Sequence, residues 1–283
     1  MKVCCVFLMT ENYIKKYPFY CKNSVESFKK WHPDIEVIIL DDEKLKNYDP
    51  KTPYGLVRFL FIRDIFKQGY TKVISIGADT LTCGRFDEML EDNDSPLICS
   101  LDFKSKFPQE MYPDEMKPLF SPQHGVFEWP TINAEIVCVN NVHIIDDLER
   151  ITRNQNSHCA EQGALNYMYT KNPGSVRIVD FPYEFSRVVY NNRAKGILGS
   201  NCIKKGKLFF GIDGPQVGEF SPMFVWKPIG NRLFNQDGKH VKMFHFCIQD
   251  DANPITEWFN PETVQFFVEH CACDWSLPFK VVS

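Results

Sequence analysis

Short apolar runs alternate with longer mixed segments through the first two thirds of the chain. The apolar runs have the length of buried strands and occupy residues 3–9, 35–40, 73–76, 97–101, 135–139 and 176–179. Several segments between them have the length and apolar spacing of helices, at residues 20–31, 56–66, 142–153 and 160–169. This alternation predicts an α/β fold with a mostly parallel, Rossmann-like sheet flanked by helices.

The pattern changes after residue 180, where glycine and proline become frequent. A last helix is predicted at residues 261–270, and the strand-like runs before it are short, at residues 208–212, 223–227 and 241–246. No repeat or flexible linker separates the two parts. We therefore predict a single domain over residues 1–283, with an α/β core in residues 1–180 and an irregular C-terminal lobe in residues 181–283.

The composition is that of a soluble globular protein. Of the 283 residues, 44% are hydrophobic and 24% are charged, with a formal net charge of −4. That charge argues against nucleic acid or an anionic membrane as the main partner. The eleven cysteines are scattered and several fall in apolar runs, which favours free thiols in a reducing compartment. No apolar run has the length of a membrane span or a secretory signal, so a cytoplasmic location is expected.

Polar residues follow the predicted strands, where open α/β sheets bind ligands. The first group, Thr10-Glu11-Asn12-Tyr13, comes directly after the first strand. It lacks the G-x-G-x-x-G of a dinucleotide site and the G-x-x-x-x-G-K-[ST] of a P-loop. Two interpretations stay open: this loop binds a nucleobase, on which the Tyr13 ring stacks, or it caps the next helix and Tyr13 packs on the surface of that helix.

The second group, Gly77-Ala78-Asp79-Thr80, follows the strand at residues 73–76. An aspartate at the end of a buried strand suits Mg²⁺ or Mn²⁺, because these cations accept oxygen ligands, and the cation would bridge the diphosphate of a nucleotide. The alternative is a turn aspartate that hydrogen-bonds its own backbone.

Two further groups lie later in the chain. Asn133 precedes the strand at residues 135–139, and Glu161-Gln162 lie in the first turn of a predicted helix. A glutamate near a helix N-terminus also interacts favourably with the helix dipole, so a structural role explains each residue taken singly. The order of all four groups along the chain favours a ligand site.

In that order the segments resemble those of the GT-A glycosyltransferases, which use nucleotide-diphospho-sugars, and most of all the glycogenin and galactinol-synthase type of family eight. The resemblance covers most of residues 1–250. It implies that Thr10, Asn12 and Tyr13 hold the uracil of the donor and that Ala78 belongs to the nucleotide-binding set.

The resemblance extends to the donor sugar. The segment "TINAEIVCVNN" is similar to the family's N-x-G segment, whose asparagine faces the sugar. The resemblance implies this role for Asn133, while Glu135 stands where the family has glycine. "AEQGALNYMY" is similar to the D-Q-x-x-L-N segment, which places Glu161 and Gln162 near the sugar, with glutamate in place of the aspartate.

The resemblance also implies a divalent cation, Mn²⁺ or Mg²⁺. "GYTKVISIGADTLTCGRFDEML" is similar to the family's metal strand and "KMFHF" to the late strand that completes the metal site, so Asp79 and His245 are the expected ligands. Because Gly77 replaces the first carboxylate of D-x-D, we expect weaker cation binding. Two basic residues, Arg58 in "YGLVRFLFIRDIF" and Lys242, would stabilise the negative charge of the diphosphate together with the cation.

The implied reaction transfers a hexosyl or pentosyl group from a UDP-sugar to a hydroxyl of a glycan or glycoprotein. Negative charge grows on the leaving diphosphate, and Asp79 with its cation would stabilise it. Asn133 and Gln162 would orient the sugar hydroxyls. An inverting enzyme also needs a carboxylate base, for which Asp102 and Glu161 are the candidates.

Two other classes compete with the glycosyltransferase. A non-catalytic nucleotide-sugar-binding protein with a decayed site would also lack the first carboxylate, and measured turnover separates it from an enzyme. A sugar-nucleotide pyrophosphorylase has a related core but opens with a glycine-rich, basic loop, and "LMTENY" is neither. The proline-rich, aromatic segment at residues 103–129 is predicted to cover the active site.

Overall fold

The computed structural model describes residues 1–101, 132–153, 160–179, 207–209, 216–219, 227–234, 240–245 and 261–281. The described residues fall into two units. The first unit takes its residues from Met1–Thr10, Ile35–Ile76 and Asp87–Asp180, and the second from Glu11–Asp34, Gly77–Phe86 and Phe181–Ser283. The single domain with a lobe after residue 180 stays a prediction.

Helices and strands alternate along the described chain. The helices α1 to α8 are Glu11–Lys16, Pro18–Trp31, Asp42–Leu45, Tyr54–Phe66, Asp87–Glu91, Ile144–Arg153, Ala160–Lys171 and Pro261–His270. The strands β1 to β13 are Val3–Leu8, Glu36–Leu40, Lys72–Ile76, Thr80–Thr82, Leu97–Leu101, Ile132–Val139, Val176–Val179, Lys207–Phe209, Gln216–Glu219, Lys227–Ile229, Arg232–Phe234, His240–Val241 and Met243–His245.

The first unit is built on a six-stranded sheet of order β2-β1-β3-β6-β5-β7. β1 pairs in parallel with β2 and β3, and β5 pairs in parallel with β7, whereas β6 runs antiparallel to both of its neighbours. All the strands except β6 therefore share one direction. β3 is buried along its whole length, as its almost continuous apolar sequence predicts. The predicted α/β fold, with a mostly parallel sheet flanked by helices, is confirmed.

Helices α4, α6 and α7 pack on one another within the first unit, and α4 and α7 also pack on the sheet. α6 buries the apolar stripe formed by Ile144, Ile145, Leu148 and Ile151, while its charged residues lie on the other side. α4 is apolar on most sides and is buried accordingly. The apolar core of the first unit therefore lies among these helices and the sheet.

The buried side chain of Lys72 in β3 caps the C-terminal end of helix α5. The Lys72 ammonium donates hydrogen bonds to the carbonyl oxygens of Met89, Leu90 and Asp92, at 2.9, 2.6 and 2.7 Å. These carbonyls lie at the C-terminal end of α5, where a helix leaves acceptors without partners. All three ammonium hydrogens are used, although burial lowers the pKa of Lys72.

The turn that follows α5 is closed by the side chain of Asp92. Its carboxylate accepts hydrogen bonds from the backbone N–H groups of Asp94 and Ser95, from the Ser95 hydroxyl and from the Arg177 guanidinium. Burial alone would raise the pKa of Asp92. The hydrogen bonds to its charged form outweigh burial and hold the pKa well below the ordinary value.

Replacing Asp92 with asparagine should lower the free energy of unfolding at pH 7 by about 1–2 kcal/mol, because bonds to a charged acceptor are lost. The pKa in the folded state lies well below the unfolded value of about 4, so this stabilisation is fully present above pH 4 and is lost progressively as the pH falls from there through the folded pKa. Urea unfolding should therefore separate Asp92→Asn from the wild type by the full amount at pH 7 and by a smaller amount at pH 3, because the carboxyl of the unfolded chain is by then largely protonated. Asp94→Asn, at an exposed neighbour, is the control, and an equal difference at both pH values would contradict the assignment.

The second unit combines α1, α2 and α8 with short antiparallel strands. β4 pairs with β13, and β10, β11 and β12 form a three-stranded sheet. The segment after α8 packs along α2, where the Asn23 side chain exchanges two hydrogen bonds with the backbone of Asp274, at 3.2 and 2.8 Å. The rings of Phe19, Trp275 and Phe279 pack beside this contact.

Residues 11–13 differ from the predicted loop, because they begin helix α1. Glu11 lies in its first turn and forms an ion pair of 2.6 Å with Lys15, four residues later. This order of charges stabilises a short helix without an apolar stripe. The apolar pattern does not predict α3 or β4, because they have four and three residues and no period can show in so short a segment. The helix α5 agrees with the helix that the family resemblance implies at the end of "GYTKVISIGADTLTCGRFDEML".

Two expectations from composition can be followed in the described residues. Eight cysteines lie there, and all are buried free thiols. No helix within the described ranges combines the length and the apolar character that a membrane span requires.

Candidate active site

The strand β3 runs directly into the Asp79 turn, residues 77–80, which leads into β4. Asp79 is half-buried there and Ala78 is buried. Burial raises the pKa of the Cys21 thiol in α2 to about 12, and the negative charge of Asp79 adds to the rise. Burial and then Asp79 also raise the pKa of Tyr20. The Asp79 carboxylate is therefore close enough to the buried Tyr20 and Cys21 for its negative charge to act on them.

The late strand with the predicted metal histidine pairs with the strand that follows Asp79. In the antiparallel register of β13 and β4, His245 lies opposite Thr80, so its backbone is next to Asp79. The His245 side chain lies outside the described part of the structure. Among the described side chains, no cluster of three His, Cys, Asp or Glu is placed to hold a metal. Metal binding by Asp79 and His245 stays a prediction.

Lys242 lies in the same unit, between β12 and β13, and is half-buried. Its carbonyl oxygen accepts a hydrogen bond of 2.7 Å from the N–H of Cys83, just after β4. A Cβ added at Gly84 would lie 3.3 Å from Lys242 Cγ and 3.1 Å from His240 Cε1. Lys242, one of the two predicted basic residues, therefore contacts the residues that directly follow β4.

The predicted uracil residues are divided between the end of β1 and helix α1. Thr10 precedes the helix, Asn12 is exposed in its first turn, and Tyr13 is half-buried. The Tyr13 ring lies 5.0 Å from the Tyr17 ring, between ring centroids. The helix cap and the role in uracil binding both stay predictions.

In the first unit, β6 is irregular where it carries Asn133. Cys99 of β5 faces Val137, but the next residue, Ser100, faces Asn133, so residues 134–136 of β6 face no residue of β5. Such bulges interrupt the ladder and change the direction of a strand. The backbone of Asn133 is thereby placed at the end of a distorted segment, and its side chain lies outside the described residues.

Arg58 of α4 supports this distorted segment. Its Nη2 group donates a hydrogen bond of 2.7 Å to the carbonyl oxygen of Ala134, and the side chain is 7% exposed. The Nε atom is also buried and has no hydrogen-bond partner in the described residues. The predicted contact of Arg58 with the diphosphate is untested, and its observed contact is with the backbone next to Asn133.

Glu161 packs on helix α4 in a way the sequence does not reveal. A Cβ added at Gly55 would lie 2.0 Å from Cδ of Glu161 and 2.2 Å from its Oε2 atom. The carboxylate therefore occupies the space that a side chain at residue 55 would need. Its Oε2 atom is buried and accepts no hydrogen bond from the described residues, which is costly unless a further donor arrives.

Asn166 fixes the first turns of α7 on β6. Its Oδ1 accepts from the N–H of Ile132 at 2.7 Å, and its Nδ2 donates to the carbonyl oxygens of Ile132 and Gln162, at 3.1 and 2.8 Å. The amide is buried and its hydrogen bonds hold the residues before Asn133 and after Glu161. In the sequence this asparagine is only the last letter of the segment similar to D-Q-x-x-L-N, and nothing there marks its hydrogen bonds.

The structure therefore gathers the predicted residues in two groups. The first unit holds Arg58, Glu161 and Gln162 near the backbone of Asn133, and the second unit holds the Asp79 turn, Lys242 and the backbone of His245. Asp102, the other candidate base, lies outside the described residues, as does segment 103–129.

This architecture is the GT-A-like fold of glycosyltransferases. It is similar to the crystal structure of the glycosyltransferase GlyE of Streptococcus pneumoniae TIGR4, with a TM-score of 0.51 and 15% identity over 98% of this chain. It is also similar to mouse xyloside xylosyltransferase 1, with a TM-score of 0.52 and 10% identity over 90% of this chain and 100% of that one. This chain spans 62% of the length of GlyE. No protein-family model and no curated protein sequence matches it.

Proposed function

We propose that this protein is a glycosyltransferase that moves a hexosyl or pentosyl group from a UDP-sugar to a hydroxyl of a glycan or glycoprotein. The GT-A-like fold supports the class of reaction. The observation that carries the proposal is the pairing of β4 with β13, in which the backbone of His245 lies opposite Thr80, the residue after Asp79. Asp79 and His245 are the two residues that the resemblance assigns to the cation.

Asp79 and His245 would hold Mn²⁺ or Mg²⁺ through a carboxylate oxygen and an imidazole nitrogen, a donor set that suits Mn²⁺ better. When bound, the cation supplies positive charge to the leaving diphosphate. Asp79 fits because its charge is already placed among buried groups. Lys242, held beside Gly84, would add a fixed positive charge from the protein.

Glu161, Gln162 and Asn133 would bind the donor sugar. A sugar hydroxyl would give the buried Oε2 of Glu161 the donor that it lacks among the described residues. Arg58 holds the backbone beside Asn133, and Asn166 holds the backbone of Gln162. The backbone beside Asn133 and at Gln162 is thus held before the donor arrives, which would lower the cost of orienting the sugar.

Turnover of a panel of UDP- and GDP-sugars tests the proposal, measured with Mn²⁺, with Mg²⁺ and with EDTA. We expect a UDP-sugar to be hydrolysed or transferred with Mn²⁺ and not with EDTA. Turnover that survives EDTA would assign the leaving-group charge to basic residues such as Lys242. Binding of a UDP-sugar without turnover would favour the non-catalytic binding protein, and binding of no nucleotide-sugar would contradict glycosyl transfer.

A further inference from the structure

Helix α2 presents two buried serines to the chain around Asp79. Ser24 Oγ lies 3.1 Å from the carbonyl oxygen of Gly77 and 2.9 Å from Thr80 Oγ1, which is itself 3.0 Å from the same carbonyl. Ser24 and Thr80 are at most 1% exposed. The two hydroxyl protons satisfy two of these three contacts at a time, and the contacts together connect the first and last residues of the Asp79 turn.

Ser27, one turn later in α2, contacts the same region at a different place. Its Oγ accepts a hydrogen bond of 3.0 Å from the N–H of Thr82 in β4 and donates one of 3.2 Å to the carbonyl oxygen of Ser24. Ser27 is as buried as Ser24. It therefore holds the strand after the turn, whereas Ser24 holds the turn itself.

We propose that Ser24 is a positioning residue for Asp79, an inference that rests on the proposed function for its catalytic consequence. The Ser24 hydroxyl, with that of Thr80, ties the two ends of the Asp79 turn to α2 and so fixes the direction of its carboxylate. The fixed direction matters more here than in a D-x-D site, because Gly77 offers no second carboxylate to share the cation. A supporting hydrogen bond of this kind changes metal affinity or activity about tenfold or more when it is removed.

The matched variants Ser24→Ala and Ser27→Ala test the proposal on the full chain. Each removes one buried hydroxyl from α2, so a general loss of stability should be similar in both. Amide hydrogen exchange reports on the turn without requiring turnover. We expect Ser24→Ala to accelerate exchange at Ala78 and Asp79 at least fivefold, and Ser27→Ala to accelerate it mainly at Thr82.

The same variants are then compared in donor turnover and in the Mn²⁺ concentration that gives half-maximal activity. We expect this concentration to rise about tenfold in Ser24→Ala and to stay near the wild-type value in Ser27→Ala. Unchanged exchange at Ala78 and Asp79 in Ser24→Ala would overturn the positioning role, as would equal shifts in the two variants. If the wild type turns over no donor, faster exchange confined to Ser24→Ala would still support the role in the turn, and the proposed function alone would fail.

Discussion

Replacing Asp79 with asparagine should reduce turnover of the donor about a hundredfold while the protein stays folded. The substitution keeps the size of the side chain and removes the charge that would attract a cation to the diphosphate. The loss should be large because Gly77 stands where a D-x-D site has its other carboxylate, so the turn has no second anionic ligand. The measurement is kcat and KM for the donor over a range of Mn²⁺ concentrations, with thermal unfolding as the test of folding.

Asp87→Asn is the matched control for Asp79→Asn. Asp87 is an exposed aspartate in the first turn of α5, a few residues further along the chain. Its replacement removes the same charge from the protein, but it should change neither kcat nor the Mn²⁺ requirement. Full turnover and unchanged Mn²⁺ dependence in Asp79→Asn would exclude a metal role for Asp79 and leave it as a turn residue.

The strands of the central sheet could be predicted because burial leaves a local signal in the sequence. The apolar runs at residues 97–101 and 176–179 correspond to β5 and β7 at both ends, and the run at residues 73–76 falls within β3. The reversed direction of β6 could not be predicted, since it depends on the path of the chain between strands. An apolar run does not encode that path.

Elements formed by charge or by distant partners were missed. The helix α1 is favoured by the placement of Glu11 and Lys15 and has no buried residue, so it has no apolar period to detect. β4 has three residues and forms against β13, which comes from the far end of the chain. Its existence depends on a tertiary contact, and the sequence around Thr80 looks like a turn.

For the candidate site, the sequence marks the residues to which reactive roles are assigned, and these roles stay predictions, but it does not mark the residues that contact them. Asp79 and Glu161 stand out because they are carboxylates at the ends of predicted elements. Ser24 and Gly55 have no such mark, because a serine inside a helix and a glycine near its start are ordinary residues. Their importance comes from contacts with residues far away in sequence, namely Gly77 and Glu161.

Gly55→Ala should displace the Glu161 carboxylate, which is proposed to bind the donor sugar, without unfolding the protein. The new Cβ would lie 2.0 Å from Cδ of Glu161 and 2.4 Å from Oε1, so the carboxylate must move. It is the end of a flexible side chain, and alanine favours a helix over glycine by up to about 1 kcal/mol, so stability should change little. Turnover of the donor should fall at least about tenfold, because a catalytic contact displaced by an ångström loses most of its effect.

A double-mutant cycle with Glu161→Ala separates the possible causes of a loss of turnover in Gly55→Ala. If Gly55 acts only by leaving room for the Glu161 carboxylate, Gly55→Ala should change neither kcat nor KM in the Glu161→Ala background. Gly174→Ala, whose Cβ would lie an ordinary 3.5 Å from Asn172 Oδ1, is the glycine control. A loss that persists in the Glu161→Ala background would place the effect in α4 itself. Unchanged turnover with a lower melting temperature would instead assign Glu161 to the dipole of α4, since its carboxylate lies at the N-terminal end of that helix.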